Sequence, residues 1–376
     1  MSKSPGDSSA FEPTPPRAMN RPSPLLYLAA FGISLIAALT LTPIARRFAF
    51  RVGLHDEPSS RKAHPEPIAL LGGVAIYGAA AVAAFLAVPS ASEQLKGIFL
   101  GGLVILFVGL QDDLAGMDPW VKLVGQATAG LVLVGFGLKG NLSGIPALDA
   151  AITVAWIVVA VNAINLSDNM DGLAAGITAA ASISYFAIAV SWDQYLVAVI
   201  SMVLAGGVIG FLVFNFPPAK IFMGDAGSHI LGFLLAVMGL NLRFPTRPRL
   251  ATLFVPVIVL GVPLTDMLMV AISRRRRGIS ASTGGTDHTS HRLVVKGMTR
   301  RRVVVVLWIA GLACGGTALL VSHAPLGLAL AITGLFGGVC LATIYWLERL
   351  GAPESLVFDK TETPAENGSA ASIDRS

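Results

Sequence analysis

The stretch L-D-A-A-I-T-V-A-W-I-V-V-A-V-N-A-I-N-L-S-D-N-M-D-G-L, Leu148 to Leu173, decides the fold. It opens as an apolar run of membrane-spanning length and ends in a polar segment. There Asn162, Asn165, Asp168 and Asp171 recur at every third residue. On an α-helix each step of three residues drifts by about 60°, so the four form a slow spiral. In a tighter 3₁₀ turn they stack on one face. In either case oxygen ligands gather where a hydrophobic helix leaves the bilayer, which suits a hard cation and its phosphate. The plainer reading is that they cap and solvate a short loop. Three further loops of similar character tell against it.

The composition is that of an integral membrane protein. Hydrophobic residues make up 54% of the chain and charged residues 13%, where a soluble domain carries about 25% charge. Cys314 and Cys340 both lie in apolar runs and imply neither a disulfide framework nor a metal cluster. Apolar runs approaching the ~20 residues needed to cross a bilayer fall at 25–45, 69–89, 96–111, 120–138, 148–166, 172–191, 194–214, 227–242, 250–272, 303–322 and 326–347. The expected fold is all-α and polytopic, with about eleven transmembrane helices in one domain over 25–350. Residues 1–24 and 351–376 are expected to be disordered tails, since they are rich in Pro, Ser and charge and contain no signal-peptide core. No nucleic-acid partner is expected.

Lys and Arg set the orientation. One set of loops carries Arg46, Arg47, Arg51, Arg61, Lys62, Lys220, Arg274 to Arg277, Arg292, Lys296 and Arg300 to Arg302. The other carries Lys96, Lys139, Arg243, Arg247 and Arg249. The first set is expected to face the cytoplasm, with the N-terminus outside and the C-terminus inside. The run R-F-P-T-R-P-R (243–249) weakens this rule without reversing it.

Four polar loops then share the cytoplasmic side. They are G-L-Q-D-D-L-A-G-M (109–117), the Asn/Asp segment, N-F-P-P-A-K-I-F-M-G-D-A-G-S-H (215–229) and R-R-R-R-G-I-S-A-S-T-G-G-T-D-H-T-S-H-R-L (274–293). Acids within a bilayer are costly and functional by default; at its surface the clustering on one side carries more weight. Asp112 and Asp113 can hold Mg²⁺ or supply a base, or be solvated charges at a helix end. Asp225 is placed to cap a helix whose amides would favour phosphate. Phe222 can stack on a nucleobase or simply pack. His288, His291 and Arg292 suit phosphate or sugar contacts. Arg274 to Arg277 read better as a topology anchor. Arg61, Lys62 and His64 can meet an anionic lipid headgroup or fix topology.

With these residues in view, the chain resembles the polyprenyl-phosphate N-acetylhexosamine-1-phosphate transferases, in the superfamily of phospho-N-acetylmuramoyl-pentapeptide transferase. The resemblance runs from about Pro43 to Leu350. It rests on R-K-A-H…L-G-G (61–73), Q-D-D-L (111–114), N-A-I-N-L-S-D-N-M-D-G-L and P-A-K-I-F-M-G-D-A-G-S (218–228). It implies a cell-membrane enzyme that moves a sugar-1-phosphate, GlcNAc-1-phosphate being expected, from a UDP-N-acetylhexosamine to a polyprenyl phosphate and releases UMP. It further implies Mg²⁺, or Mn²⁺, on Asp225 and Asn165. Asp112 and Asp113 would stand beside the attacking phosphate, and Phe222 and Asp171 at the uridine. Asp168 and Lys220 complete the expected substrate contacts. The chain departs from the family at Gly116, where an acid or lysine is common (Asp118 is near), and at Pro65, often Lys. The reduced histidine loop D-H-T-S-H-R-L argues against the muramoyl-pentapeptide branch.

The expected reaction is a single displacement at the β-phosphorus. A phosphate monoester has its second pKa near 6, so the lipid phosphate scarcely needs a base. A base role for Asp112, an electrostatic role for the pair, and a covalent route through Asp113 stay open. A secondary transporter, the competing class, would place its acids near the midplane in repeats. An inactive scaffold would not need the expected metal ligands. A homo-oligomer is compatible with the sequence.

Overall fold

The computed structural model describes residues 23–58, 66–87, 93–244, 249–280 and 285–350, without the side chains of 249–252. The expected tails fall almost wholly outside these residues.

Each apolar run in the sequence is occupied by helix. The helices are α1 (Pro24–Arg51), α2 (Gly72–Ala87), α3 (Glu93–Ala115), α4 (Pro119–Gly135), α5 (Pro146–Ser167), α6 (Leu173–Ser191), α7 (Tyr195–Asn215), α8 (Gly224–Asn241), α9 (Arg249–Val259), α10 (Gly261–Arg277), α11 (Thr289–Val295), α12 (Arg300–His323) and α13 (Leu326–Arg349). Local chemistry starts several of them. Ser23 and Asp118 accept the amides of Leu25 and Trp120 at 3.2 and 2.8 Å, each ahead of a proline at the first helical position.

Seven of the described helices are long and apolar enough to cross a membrane, and α9 with α10 can make an eighth. The chain is thus a multi-pass membrane protein. The run 250–272 is not one straight helix: its halves meet at 79°. Pro263 lacks the N–H that would bond to Val259, and its ring crowds that carbonyl.

Helix α8 is the hub. From Ala226 to Gly239 every residue is buried, with α2, α3, α5, α6, α7 and α9 around it. Two glycines allow the approach at its first turn. A methyl on Gly73 would run into the main chain of Ala226 and Gly227, and one on Gly109 into that of Asp225 and Ala226. Close packing of this kind replaces hydrophobic drive between helices in lipid. The outer surface carries large apolar side chains such as Leu28, Ile36, Phe107 and Leu335.

A small ladder adds to the all-α expectation. Strands β1 (His55–Asp56) and β2 (Ile68–Ala69) pair antiparallel, and Ala69 bridges to Ile221. Phe222 donates its amide to the Ala69 carbonyl (2.8 Å) and accepts that of Gly72 (3.0 Å). The loop before α8 is thereby stitched to the start of α2.

Candidate active site

Helices α3, α5, α7 and α10 end, and α8 begins, on one face, and their loops meet there. Asp113, near the end of α3, accepts the main-chain amides of Asp225 (2.7 Å) and Ala226 (3.1 Å). It caps α8 from another helix. Gly224 has φ +71°, and a side chain there would also strike the Asp113 carboxylate, so the position requires glycine. Asp112 faces the other way. Its Oδ1 accepts the Met117 amide (2.8 Å), and its Oδ2 pairs with Lys122 Nζ. Lys122 also reaches Asp225 Oδ2 at 3.4 Å.

Helix α5 stays α-helical to Ser167, so its polar residues spiral. Asn162 turns to α4 and donates to Gln126 Oε1 (2.6 Å). Asn165 donates to Asp225 Oδ1 and Ser228 Oγ, both at 2.9 Å. Asp168 follows the helix. Burial first, then repulsion from Asp225, Asp113 and Asp171, push it up to about 8. Asp171 accepts the Ala219 amide (2.9 Å). Asn215 joins the same two loops, accepting the Gly172 amide (3.0 Å) and donating to the Ile221 carbonyl (2.9 Å). Lys220 is exposed and Phe222 half-buried beside them. The Lys220 carbonyl is held by Arg46 at 2.9 Å.

The histidine loop closes the ring. Ser290 donates to Asn169 Oδ1 at 2.5 Å, fastening α11 to the α5–α6 loop. His288 is buried with Nδ1 2.8 Å from Asp266 Oδ2, and Asp266 Oδ1 accepts the Thr289 amide (2.7 Å). His291 lies half-buried, its ring 6.4 Å from that of His288. Burial, with the positive field of His288 and Arg300, holds it below the usual imidazole range.

Arg292 does not fit the expectation of a donor aimed at substrate. It is buried and bonds to the Asp287 carbonyl (3.1 Å), the Leu347 carbonyl (2.8 Å), Ser273 Oγ (2.8 Å) and Glu348 Oε1 (2.9 Å). It ties α10, α11 and α13 together. Arg274 and Arg277 likewise do more than anchor topology, since both grip Asp287, at 3.0 and 2.9 Å. Burial works the other way, yet Arg274 holds that carboxyl below its usual range. Arg61, Lys62 and His64 lie outside the described residues.

Lys122, Gln126, Asn215 and Asp266 are site residues that the sequence reading passed over. A charge inside an apolar run was the available signal for Lys122 and Asp266.

Among the described residues no three His, Cys, Asp or Glu side chains form a ready metal shell. Magnesium asks for less: one or two carboxylates, with waters and substrate phosphates for the rest. Asp225 and the side-chain oxygen of Asn165 meet that requirement. A cavity of about 500 Å³ opens next to Asn169, Thr289 and Ser290 and runs between apolar residues including Leu173, Ile177, Leu307 and Phe336.

Residues 95–243, which hold most of this arrangement, match Glycosyl transferase family 4. The chain is 34% identical over 313 residues to the probable undecaprenyl-phosphate N-acetylglucosaminyl 1-phosphate transferase of Bacillus subtilis, covering 81% of this chain and 87% of that protein. It belongs to the polyprenyl-phosphate N-acetylhexosamine-1-phosphate transferases. The transferase is also 34% identical over 368 residues to the decaprenyl-phosphate N-acetylglucosaminephosphotransferase of Mycobacterium tuberculosis strain H37Rv, covering 87% and 91% of the two chains. It is 29% identical over 311 residues to the phospho-N-acetylmuramoyl-pentapeptide-transferase of Bacillus pumilus, covering 75% and 92%.

Proposed function

We propose that this enzyme transfers GlcNAc-1-phosphate from UDP-GlcNAc to a polyprenyl phosphate at the cytoplasmic face of the cell membrane, and that it releases UMP. The observation that carries the reading is the meeting of Asp225, Asn165, Asp112 and Lys122; an apolar cavity opens at the α5–α6 loop that follows Asn165. The charged cluster suits two phosphates and a cation, and the apolar cavity suits an isoprenoid tail. The relatives named for GlcNAc transfer are the more similar ones, at 34% against 29%. With eleven spans, the Lys/Arg pattern supports an N-terminus outside.

A lipid phosphate oxygen forms the new bond to the β-phosphorus. The bond from that phosphorus to the bridging oxygen breaks, and UMP leaves with the electron pair. Asp225 and Asn165 would hold Mg²⁺, or Mn²⁺, which when bound neutralises the pyrophosphate. The residues themselves mainly position charge, as phosphoryl transfer requires. Lys122 neutralises Asp112 and leaves its ammonium between two acids, which favours an electrostatic over a basic task for Asp112. Both oxygens of Asp113 are engaged by amides, so its proposed task is to hold Asp225 rather than to attack. Asp171, Lys220 and Phe222 are assigned to the uridine, Asp168 to the phosphates, and His288 and His291 to the sugar.

The test incubates purified enzyme with polyprenyl phosphate and a panel of UDP-sugars and measures UMP. UDP-GlcNAc should be the best donor. Equal or faster release from UDP-MurNAc-pentapeptide would move the enzyme to the other branch, and release without lipid acceptor would overturn the reaction.

A further inference from the structure

The opposite end of the molecule carries a second cavity, of about 730 Å³, within the range of built ligand sites. It is lined by Ile152, Ala155, Trp156 and Val159 of α5, by the end of α8 and by α9, and it opens toward the loop before α5. Along α5 its innermost lining residue, Val159, lies about 9 Å of helix rise from Asn165. Its walls are apolar, with Ile152, Trp156, Leu240 and Phe244 among them, and its mouth holds Asn141 and Arg243.

Arg243 is exposed, and both its side-chain bonds run to main-chain carbonyls, those of Leu240 (2.9 Å) and Lys139 (3.4 Å). Among the described residues it has no ion pair. Asp149, on the same side, spends Oδ1 on the Leu142 and Ser143 amides and the Ser143 hydroxyl. That fixes the loop at the mouth. The Trp156 indole N–H is taken by the Ala236 carbonyl (3.3 Å), so its ring offers only an apolar face. The ligand that matches has one anionic head and an apolar body.

We infer that this cavity binds an anionic phospholipid of the leaflet facing away from the acids, its phosphate on Arg243 and one acyl chain between α5, α8 and α9. A guanidinium meets phosphate in a planar, two-point geometry, and its stem lies along apolar surface while the charge stays at the interface. The site also accounts for Arg243, which opens the basic run that conflicts with the side assigned to it by the other loops.

Native mass spectrometry of the full chain, released from phosphatidylcholine nanodiscs doped with phosphatidylglycerol, tests this. Wild type should keep one phosphatidylglycerol per chain. Arg243→Gln should lower that retention by about tenfold, the scale of one charge-assisted contact. Ala155→Phe fills the slot from its exposed rim and should lower retention with Arg243 intact. Melting temperature and UMP release should be unchanged in both. Equal retention of the two phospholipids, or unchanged retention in both variants, would overturn the site. Displacement of phosphatidylglycerol by polyprenyl phosphate at equal mole fraction would overturn the phospholipid assignment.

Discussion

Asp113 on α3 receives the main-chain amide of Asp225 at 2.7 Å. The acid beside the expected nucleophile is therefore the cap of the helix that presents Asp225, the acid proposed to hold the metal. Two positions 112 residues apart in sequence are fixed to each other by that bond and the neighbouring one from Ala226.

Asp113→Ala should cost about 1 kcal/mol of stability, as for loss of an N-cap, and should lower turnover because Asp225 is no longer held. Asp113→Asn keeps one acceptor and should recover part of the melting temperature. Wild type incubated with donor labelled in the β-phosphate should carry no label. A trapped phosphoryl group on Asp113 would replace the capping role with the covalent one.

Lys122 stands between Asp112 and Asp225. Lys122→Met removes a charge that competes with a divalent cation for the same carboxylates. Turnover should fall by about 10²–10³, the scale for loss of one preorganised electrostatic group, while half-saturation by Mg²⁺ moves to lower concentration. Unchanged Mg²⁺ half-saturation would show that Lys122 only braces the helices.

The metal assignment has its own test. Activity should vanish in excess chelator and return with Mg²⁺ or Mn²⁺. Asp225→Ala should abolish turnover in a folded protein. Asn165→Ala should raise the Mg²⁺ requirement by roughly tenfold or more, the effect of losing a metal-site partner. Full turnover of Asp225→Ala would rule this site out.

How far the sequence was legible depended on whether a feature was local. Helices were, because each apolar run needs only its own residues to satisfy its backbone in lipid. The bend at Gly261 was written in Pro256 and Pro263, but hydropathy does not register a missing N–H. The spacing of Asn162, Asn165, Asp168 and Asp171 marked the site, yet the helical spiral sends Asn162 to Gln126, and the turn after α5 sends Asp171 to Ala219. Lys122 and Asp266 were legible only as single charges inside apolar runs, with no motif around them. Arg292 was misread because sequence places it beside His291 without showing that it turns into the helix interface.

That last contrast is testable. Arg292→Ala leaves the Leu347 carbonyl without its side-chain donor, while Glu348 keeps Arg276 and Ser273 keeps Arg277; a buried acceptor left unsatisfied costs about 1–3 kcal/mol. The variant should lose melting temperature or fail to accumulate. His291→Ala should keep its stability and lose turnover. If Arg292→Ala is as stable as wild type but inactive, the arginine contacts substrate after all.

His291 also sets a pH dependence. Its folded pKa lies below the usual 6.5, through burial first and then the charges of His288 and Arg300. Between the folded value and 6.5 the unfolded chain binds a proton that the folded chain refuses. Stability from this group is therefore complete above 6.5 and is lost as pH falls through the folded value. Asp168, pushed up to about 8, works in the opposite sense, because its folded form holds a proton that the unfolded form has released. Asp287, held low by Arg274, loses its contribution only below the usual carboxylate value of 3.8. The difference in melting temperature between wild type and His291→Gln isolates the imidazole. It should be constant above pH 7 and shift in favour of the variant from pH 6.5 to 5. A difference that stays flat across that window would mean that His291 titrates as an ordinary exposed histidine, and its placement at the closed end of the site would be wrong.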